Sequence, residues 1–125
     1  MRLLLDTHVF LWAVAGSALL KPAARRVIES ADQVYVSAAS IWEIAIKARL
    51  GKIEADADEL VAAIGASGFL ELSVLAVHAA GVARLALHHN DPFDRLLIAQ
   101  ALFEPLRFLT ADAGLVRYGD LVTLA

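Results

Sequence analysis

The chain has no cysteine, no long apolar run and no surplus of positive charge. Without cysteine there is no disulfide framework, no thiolate metal site and no thiol nucleophile. A reducing cytoplasm fits that composition. No stretch approaches the ~18 consecutive apolar residues that a membrane span requires. Arg2, an apolar segment and Ala13-Val14-Ala15 have the outline of a signal peptide, but Asp6 and His8 interrupt it. With a net charge of −3 and a pI near 5.7, the protein is not a general nucleic-acid coater, which would be basic. An enzyme that meets phosphates through a bound cation is still allowed. There is also no internal repeat, low-complexity segment or linker, so residues 1–125 are read as one domain.

What the chain has in excess is apolar side chains, 59% of residues against a usual ~45–50%. A surplus of that size suits elements buried on both sides, or a face kept for a partner. Strand-like and helix-like segments alternate. Arg2–Asp6, Gln33–Val36, Phe69–Leu72, Arg107–Leu109 and Leu121–Leu124 read as strands. Between them, helices are expected over Val9–Ala15, from Pro22, over Ile41–Leu50, Asp56–Ala66 and Leu75–Leu87, and from Pro92. A short helix is expected from Asp112. This alternation predicts an α/β fold with a central parallel sheet flanked by helices on both faces.

Eight residues, His88-His89-Asn90-Asp91-Pro92-Phe93-Asp94-Arg95, concentrate polar chemistry just before the apolar run Leu96–Phe103. Asp91 before Pro92 is a helix start, with Asp at N-cap and Pro at N1. Asp94 then falls in the first turn, where it is either a capping acid or a ligand aimed into a cleft. Three further acids stand at comparable places. Asp6 ends the first strand, Glu43 lies early in the helix after the second, and Asp112 follows the strand ending at Leu109. Each has a structural reading of its own: Asp6 as a turn former, Glu43 as the end of a Ser40-x-x-Glu43 capping box, Asp112 as an N-cap. Yet open α/β sheets build their sites at the carboxyl ends of strands, and all four acids fall on that edge. Two carboxylates ~4 Å apart repel by about 4 kcal/mol at an effective dielectric of ~20. Four so placed need a cation or protons, and all-oxygen ligation favours Mg²⁺ or Mn²⁺ over zinc. Such a site suits phosphoryl chemistry.

Leu5-Asp6-Thr7-His8, Ser37–Ile44, His89–Arg95 and Leu109-Thr110-Ala111-Asp112 together resemble the four acidic motifs of PIN-domain ribonucleases. More narrowly, they resemble the VapC toxins of bacterial type II toxin–antitoxin pairs. The resemblance runs from Met1 to about Tyr118. It implies a PIN fold and a metal-dependent endoribonuclease with Asp6, Glu43, Asp94 and Asp112 as catalytic, metal-binding acids. Asp6 and Asp94 would be the surest ligands; Glu43 and Asp112 would act directly or through water. Thr110 would orient water or a carboxylate. The resemblance also implies Mg²⁺, with Mn²⁺ as an alternative ion, an RNA substrate, a homodimer and a VapB-like antitoxin that can send a basic side chain into the acid pocket.

Arg95 has two readings, holding Asp94 or holding a phosphate, of which the first is favoured. Asp91 is kept as an N-cap. His88 and His89 read as helix-end residues, because a hard-cation site prefers oxygen. Phe10, Trp12, Trp42 and Ile46 read mainly as core, with some left to line a partner groove. Lys47, Arg49 and Lys52 read as a solvated basic cluster, with RNA backbone contact as the sharper alternative. A catalytically idle PIN-like binding module is the second functional reading, and the complete set of acids speaks against it. A phosphate-receiving regulator would want paired acids at the first strand and a late Lys. A haloacid-dehalogenase-like phosphatase would want an acid where His8 stands.

Overall fold

A computed structural model describes Met1–Ala125. Its five strands are β1 (Arg2–Leu5), β2 (Gln33–Ser37), β3 (Leu70–Leu72), β4 (Arg107–Thr110) and β5 (Val122–Leu124). They form one parallel sheet in the order β3-β2-β1-β4-β5. The helices are α1 (Thr7–Ala15), α2 (Pro22–Ser30), α3 (Ala38–Arg49), α4 (Ala57–Ala66), α5 (Ala76–Gly81) and α6 (Pro92–Phe103). Short 3₁₀ turns follow at Val82–Arg84 and Ala113–Tyr118.

Alternation along β1 explains the two layers. Leu3 and Leu5 point to one face and Leu4 to the other. The first face buries Val9, Phe10, Ala24, Ile44, Leu60 and Ile64 from α1 to α4. The second buries Leu97, Ile98 and Ala101 of α6 with Leu115. All three β1 leucines are fully buried, as expected of a central parallel strand covered on both sides. No helix is long and apolar enough to cross a membrane.

From β1 the chain builds outward to β2 and β3, then crosses to the opposite side of β1 for β4 and β5. The crossovers part company at β1, and the connections after β1 and β4 leave a cleft between them. This is where ligands of open α/β sheets bind.

Three expectations change. The helix expected over Leu75–Leu87 stops at Gly81, with one 3₁₀ turn after it. His88 and His89 therefore lie in a connecting loop and not at a helix end. Helix α3 begins at Ala38 with Ser37 as its N-cap, accepting from the Ala39 N–H at 3.0 Å. Ser40 is then the third helical residue and Glu43 the sixth, so Ser40-x-x-Glu43 is not a capping box. By contrast Asp91 caps α6 as expected, its Oδ1 accepting from Phe93 N (2.8 Å) and Asp94 N (3.1 Å).

The far end of α6 carries a closed polar cluster. The Leu75 N–H donates to His78 Nδ1 at 3.0 Å, so Nε2 bears the proton and donates to Glu104 Oε2 at 2.6 Å. Ser37 Oγ donates to Gln100 Oε1 at 2.6 Å, and Gln100 Nε2 donates to the Ser73 carbonyl at 3.3 Å.

Candidate active site

Asp6, Glu43, Asp94 and Asp112 line one cleft of about 270 Å³, with His8, Trp12, Lys47, Asp91 and Ala111. Four separate elements bring the acids there. Asp6 is the N-cap of α1, Glu43 is on α3, Asp94 is in the first turn of α6, and Asp112 caps the 3₁₀ turn after β4.

Asp6 is buried and well held. The Thr7 N–H donates to its Oδ1 at 2.7 Å, and Thr110 Oγ1 donates to its Oδ2 at 2.6 Å. Burial pushes its pKa above the ordinary carboxylate value, against the lowering effects of the Thr110 and Thr7 hydrogen bonds and the His8 charge. Thr110 Oγ1 also accepts the Asp112 N–H at 3.0 Å, so one hydroxyl ties two of the acids together. Glu43 is buried as well. Its Oε1 lies 2.8 Å from Thr7 Oγ1, which in turn lies 2.9 Å from Ser40 Oγ. One hydroxyl proton serves one acceptor, so Thr7 giving it to the carboxylate leaves its lone pairs for the Ser40 O–H.

Asp94 is different. No backbone or side-chain donor reaches its carboxylate; its nearest basic atom is His89 Nδ1, 3.7 Å from Oδ2. Burial, then the charges of Asp6, Asp91, Glu43 and Asp112, push its pKa up to about 8. The protein has concentrated negative charge at this residue and supplied no hydrogen bond to soften it.

Asp112 is the most open of the four. Its Oδ1 accepts from Gly114 N at 2.8 Å and its Oδ2 lies 3.0 Å from His89 Nε2. The Asp91 N–H donates to His89 Nδ1 at 3.1 Å, which puts the ring proton on Nε2, facing Asp112. Ligand atoms of His89, Asp94 and Asp112 all lie within 4.8 Å of one another, close enough to share one cation. In the tautomer just described the imidazole holds Asp112; ligation through Nε2 calls for the other tautomer, with the proton on Nδ1. This His/Asp cluster could hold a divalent ion, with Asp94 lacking any other partner; Asp6 and Glu43 line the same cleft but fall outside that group.

His89 and Lys47 are members of this site that the sequence reading placed elsewhere. A His two residues ahead of an N-cap Asp, and a Lys four residues after a buried Glu on one helix face, were the available signals. Lys47 Nζ lies 2.6 Å from Glu43 Oε2, so it is not a simple solvated charge. Arg95 corrects another expectation. It makes no ion pair with Asp94; its guanidinium donates to the carbonyls of Ala86 (2.9 Å) and Val82 (3.2 Å) and to the Tyr118 hydroxyl (3.0 Å), with a longer contact to the His89 carbonyl. Of the aromatics, Phe10 is fully buried, whereas Trp42 is 60% exposed. Trp12 is half-buried at the cleft.

A fold of this topology, with acids from four elements in one cleft, defines a class. Residues 3–121 match the model of the PIN domain, and the chain belongs to that family. It is 32% identical over 118 residues to the ribonuclease VapC22 of Mycobacterium tuberculosis, covering 90% of this chain and 88% of that protein. The relationship to VapC-type toxins of toxin–antitoxin systems is one of family. Among solved structures, VapBC2 of Rickettsia felis, bound to a promoter DNA fragment, superposes with a TM-score of 0.69 at 13% identity, over 100% of this chain and 98% of that one. A toxin–antitoxin complex from Klebsiella pneumoniae gives 0.68 at 16% identity, over 96% and 94%. At those identities the likeness is one of fold.

Proposed function

We propose that this protein is a Mg²⁺- or Mn²⁺-dependent endoribonuclease and the toxin of a type II toxin–antitoxin pair. The observation that carries the reading is the cleft itself: Asp94, with its pKa pushed up to about 8, has acids on several sides and no hydrogen-bond donor. A divalent cation relieves that repulsion, and Asp6 and Asp94 are the residues to hold it, with Glu43 and Asp112 acting directly or through water. Such an ion supplies an activated water and polarises a phosphodiester. The chain's own residues prepare the site. Thr110 fixes the Asp6 carboxylate, His89 fixes Asp112, and the Thr7 hydroxyl fixes Glu43.

RNA as substrate implies action in the cytoplasm. The names of the relatives support an antitoxin as partner, and a second copy of the chain is expected beside it. An exposed Trp42, edge-on to Phe93 at 5.1 Å, borders an apolar cleft of about 300 Å³ with Val82 and Leu96. That surface supports a protein partner near the acid site.

The test is cleavage of a mixed RNA pool by partner-free protein with Mg²⁺, with Mn²⁺ and with chelator. Cleavage should require the ion, and Asp6→Asn and Asp94→Asn should each reduce it by at least about a hundredfold. Cleavage that persists in chelator or in both variants would sink the mechanism. Ion binding without cleavage of any RNA would favour the idle binding module.

A further inference from the structure

Lys47 stands four residues beyond Glu43 on α3, so its side chain can reach back along the helix to that acid. Nζ lies 2.6 Å from Glu43 Oε2, with the Lys47 side chain 30% exposed and that of Glu43 only 4%. The other Glu43 oxygen takes the Thr7 hydroxyl at 2.8 Å. The protein thus occupies both oxygens of Glu43 and neither oxygen of Asp94. Exposed i,i+4 pairs of this kind ordinarily contribute little. This one has a buried acid, a short contact and a position on the wall of the acid cleft.

We propose that Lys47 is a built-in counter-cation of the acid cleft, claiming Glu43 in the ion-free protein and giving it up when a divalent ion binds. The proposal rests on the metal-dependent reading above. Two consequences follow from competition for one carboxylate. The ion binds less tightly than its donors alone would set, because it must displace an ammonium. The released ammonium stays tethered at the cleft, where it faces the anionic backbone of RNA. Filling the site with its ion and offering a cation to the substrate are then one event.

The experiment measures Mn²⁺ affinity without RNA, for wild type, Lys47→Met, Lys47→Arg, Glu43→Gln and the Lys47→Met/Glu43→Gln pair. Lys47→Met should bind Mn²⁺ about 5- to 10-fold more tightly, and the gain should vanish in the Glu43→Gln background. Lys47→Arg, which keeps the charge on Glu43, should stay near wild type. A second readout uses the chain's only lysines, Lys21, Lys47 and Lys52. Acylation of Lys47, measured against the other two, should rise about threefold or more when Mn²⁺ saturates the wild type, by the same reciprocity. Equal or weaker binding by Lys47→Met, an undiminished gain without Glu43, or unaltered labelling overturns the role of Lys47 and leaves the nuclease reading standing. No Mn²⁺ binding by any of the five proteins overturns the metal reading and this role with it.

Discussion

Helix α6 carries a polar cluster at each end, and the two are built in opposite ways. At its carboxyl end, Gln100 and Glu104 join His78 and Ser37 in a network where donors and acceptors alternate. No buried side-chain nitrogen or oxygen is left without a partner. At its amino end, Asp94 meets four other acids and no donor. A closed network specifies packing and needs nothing from outside. The crowded acids are a local conflict of the kind proteins keep where a ligand resolves it. The contrast separates polar residues that satisfy one another from polar residues left in conflict, without appeal to which types they are.

His78→Ala tests the closed cluster and should have the largest effect on stability. It opens a cavity and strands the Leu75 N–H and the Glu104 carboxylate. Urea unfolding should show a loss of about 2–4 kcal/mol, while Mn²⁺ affinity stays within about twofold of wild type. A loss of ion binding in a well-folded variant would show that the two ends of α6 are coupled.

Asp94→Asn should move stability the other way, by about 0.5–2 kcal/mol in the ion-free protein at pH 8. The sign follows from the pKa near 8 in the folded state against about 3.9 in the unfolded chain. Between those values the folded protein holds a proton that the unfolded chain has lost. This contribution to stability is therefore greatest at the acid end and falls as pH rises towards about 8. The difference in Tm between wild type and Asp94→Asn should widen from about pH 5 to about pH 8, and saturating Mg²⁺ should narrow it. A flat difference would mean that the acids are not in conflict.

Thr110→Val gives the smallest expected change, about 1 kcal/mol. Thr110 is where the acid cleft most resembles the closed cluster, since one hydroxyl serves both Asp6 and the Asp112 N–H. If thermal unfolding shows a loss above about 3 kcal/mol, the cleft is more tightly built than the comparison holds.

Much of this was legible in the chain. The β1 run Leu3-Leu4-Leu5 announces a strand buried on both faces, and Asp91-Pro92 fixes the start of α6 to the residue. The gathering of four acids on one sheet edge follows from those two kinds of signal. The errors share a cause. Glu43 fits a capping-box spacing by accident, because the chain had a better cap three residues earlier in Ser37. Arg95 reads as holding its neighbour Asp94 or a phosphate, whereas its partners are carbonyls at Val82 and Ala86 and the hydroxyl of Tyr118, 23 residues on. Local context says little of His89 and Lys47, whose partners are Asp112 and the buried Glu43 carboxylate. Local spacing reports the backbone well. It reports side-chain partners only when they are local too.

One consequence of the Arg95 contacts concerns the loop from Leu85 to Asp91. It has no helix or strand of its own, yet it supplies the imidazole that meets Asp112. Its shape is written by a residue outside it, a guanidinium gripping carbonyls at Val82, Ala86 and His89 while leaning on Tyr118. The loop thus hangs from two pegs, Arg95 beside Asp94 and Asp112 after β4, so its bend is tied to the first turn of α6 and to the end of β4 together.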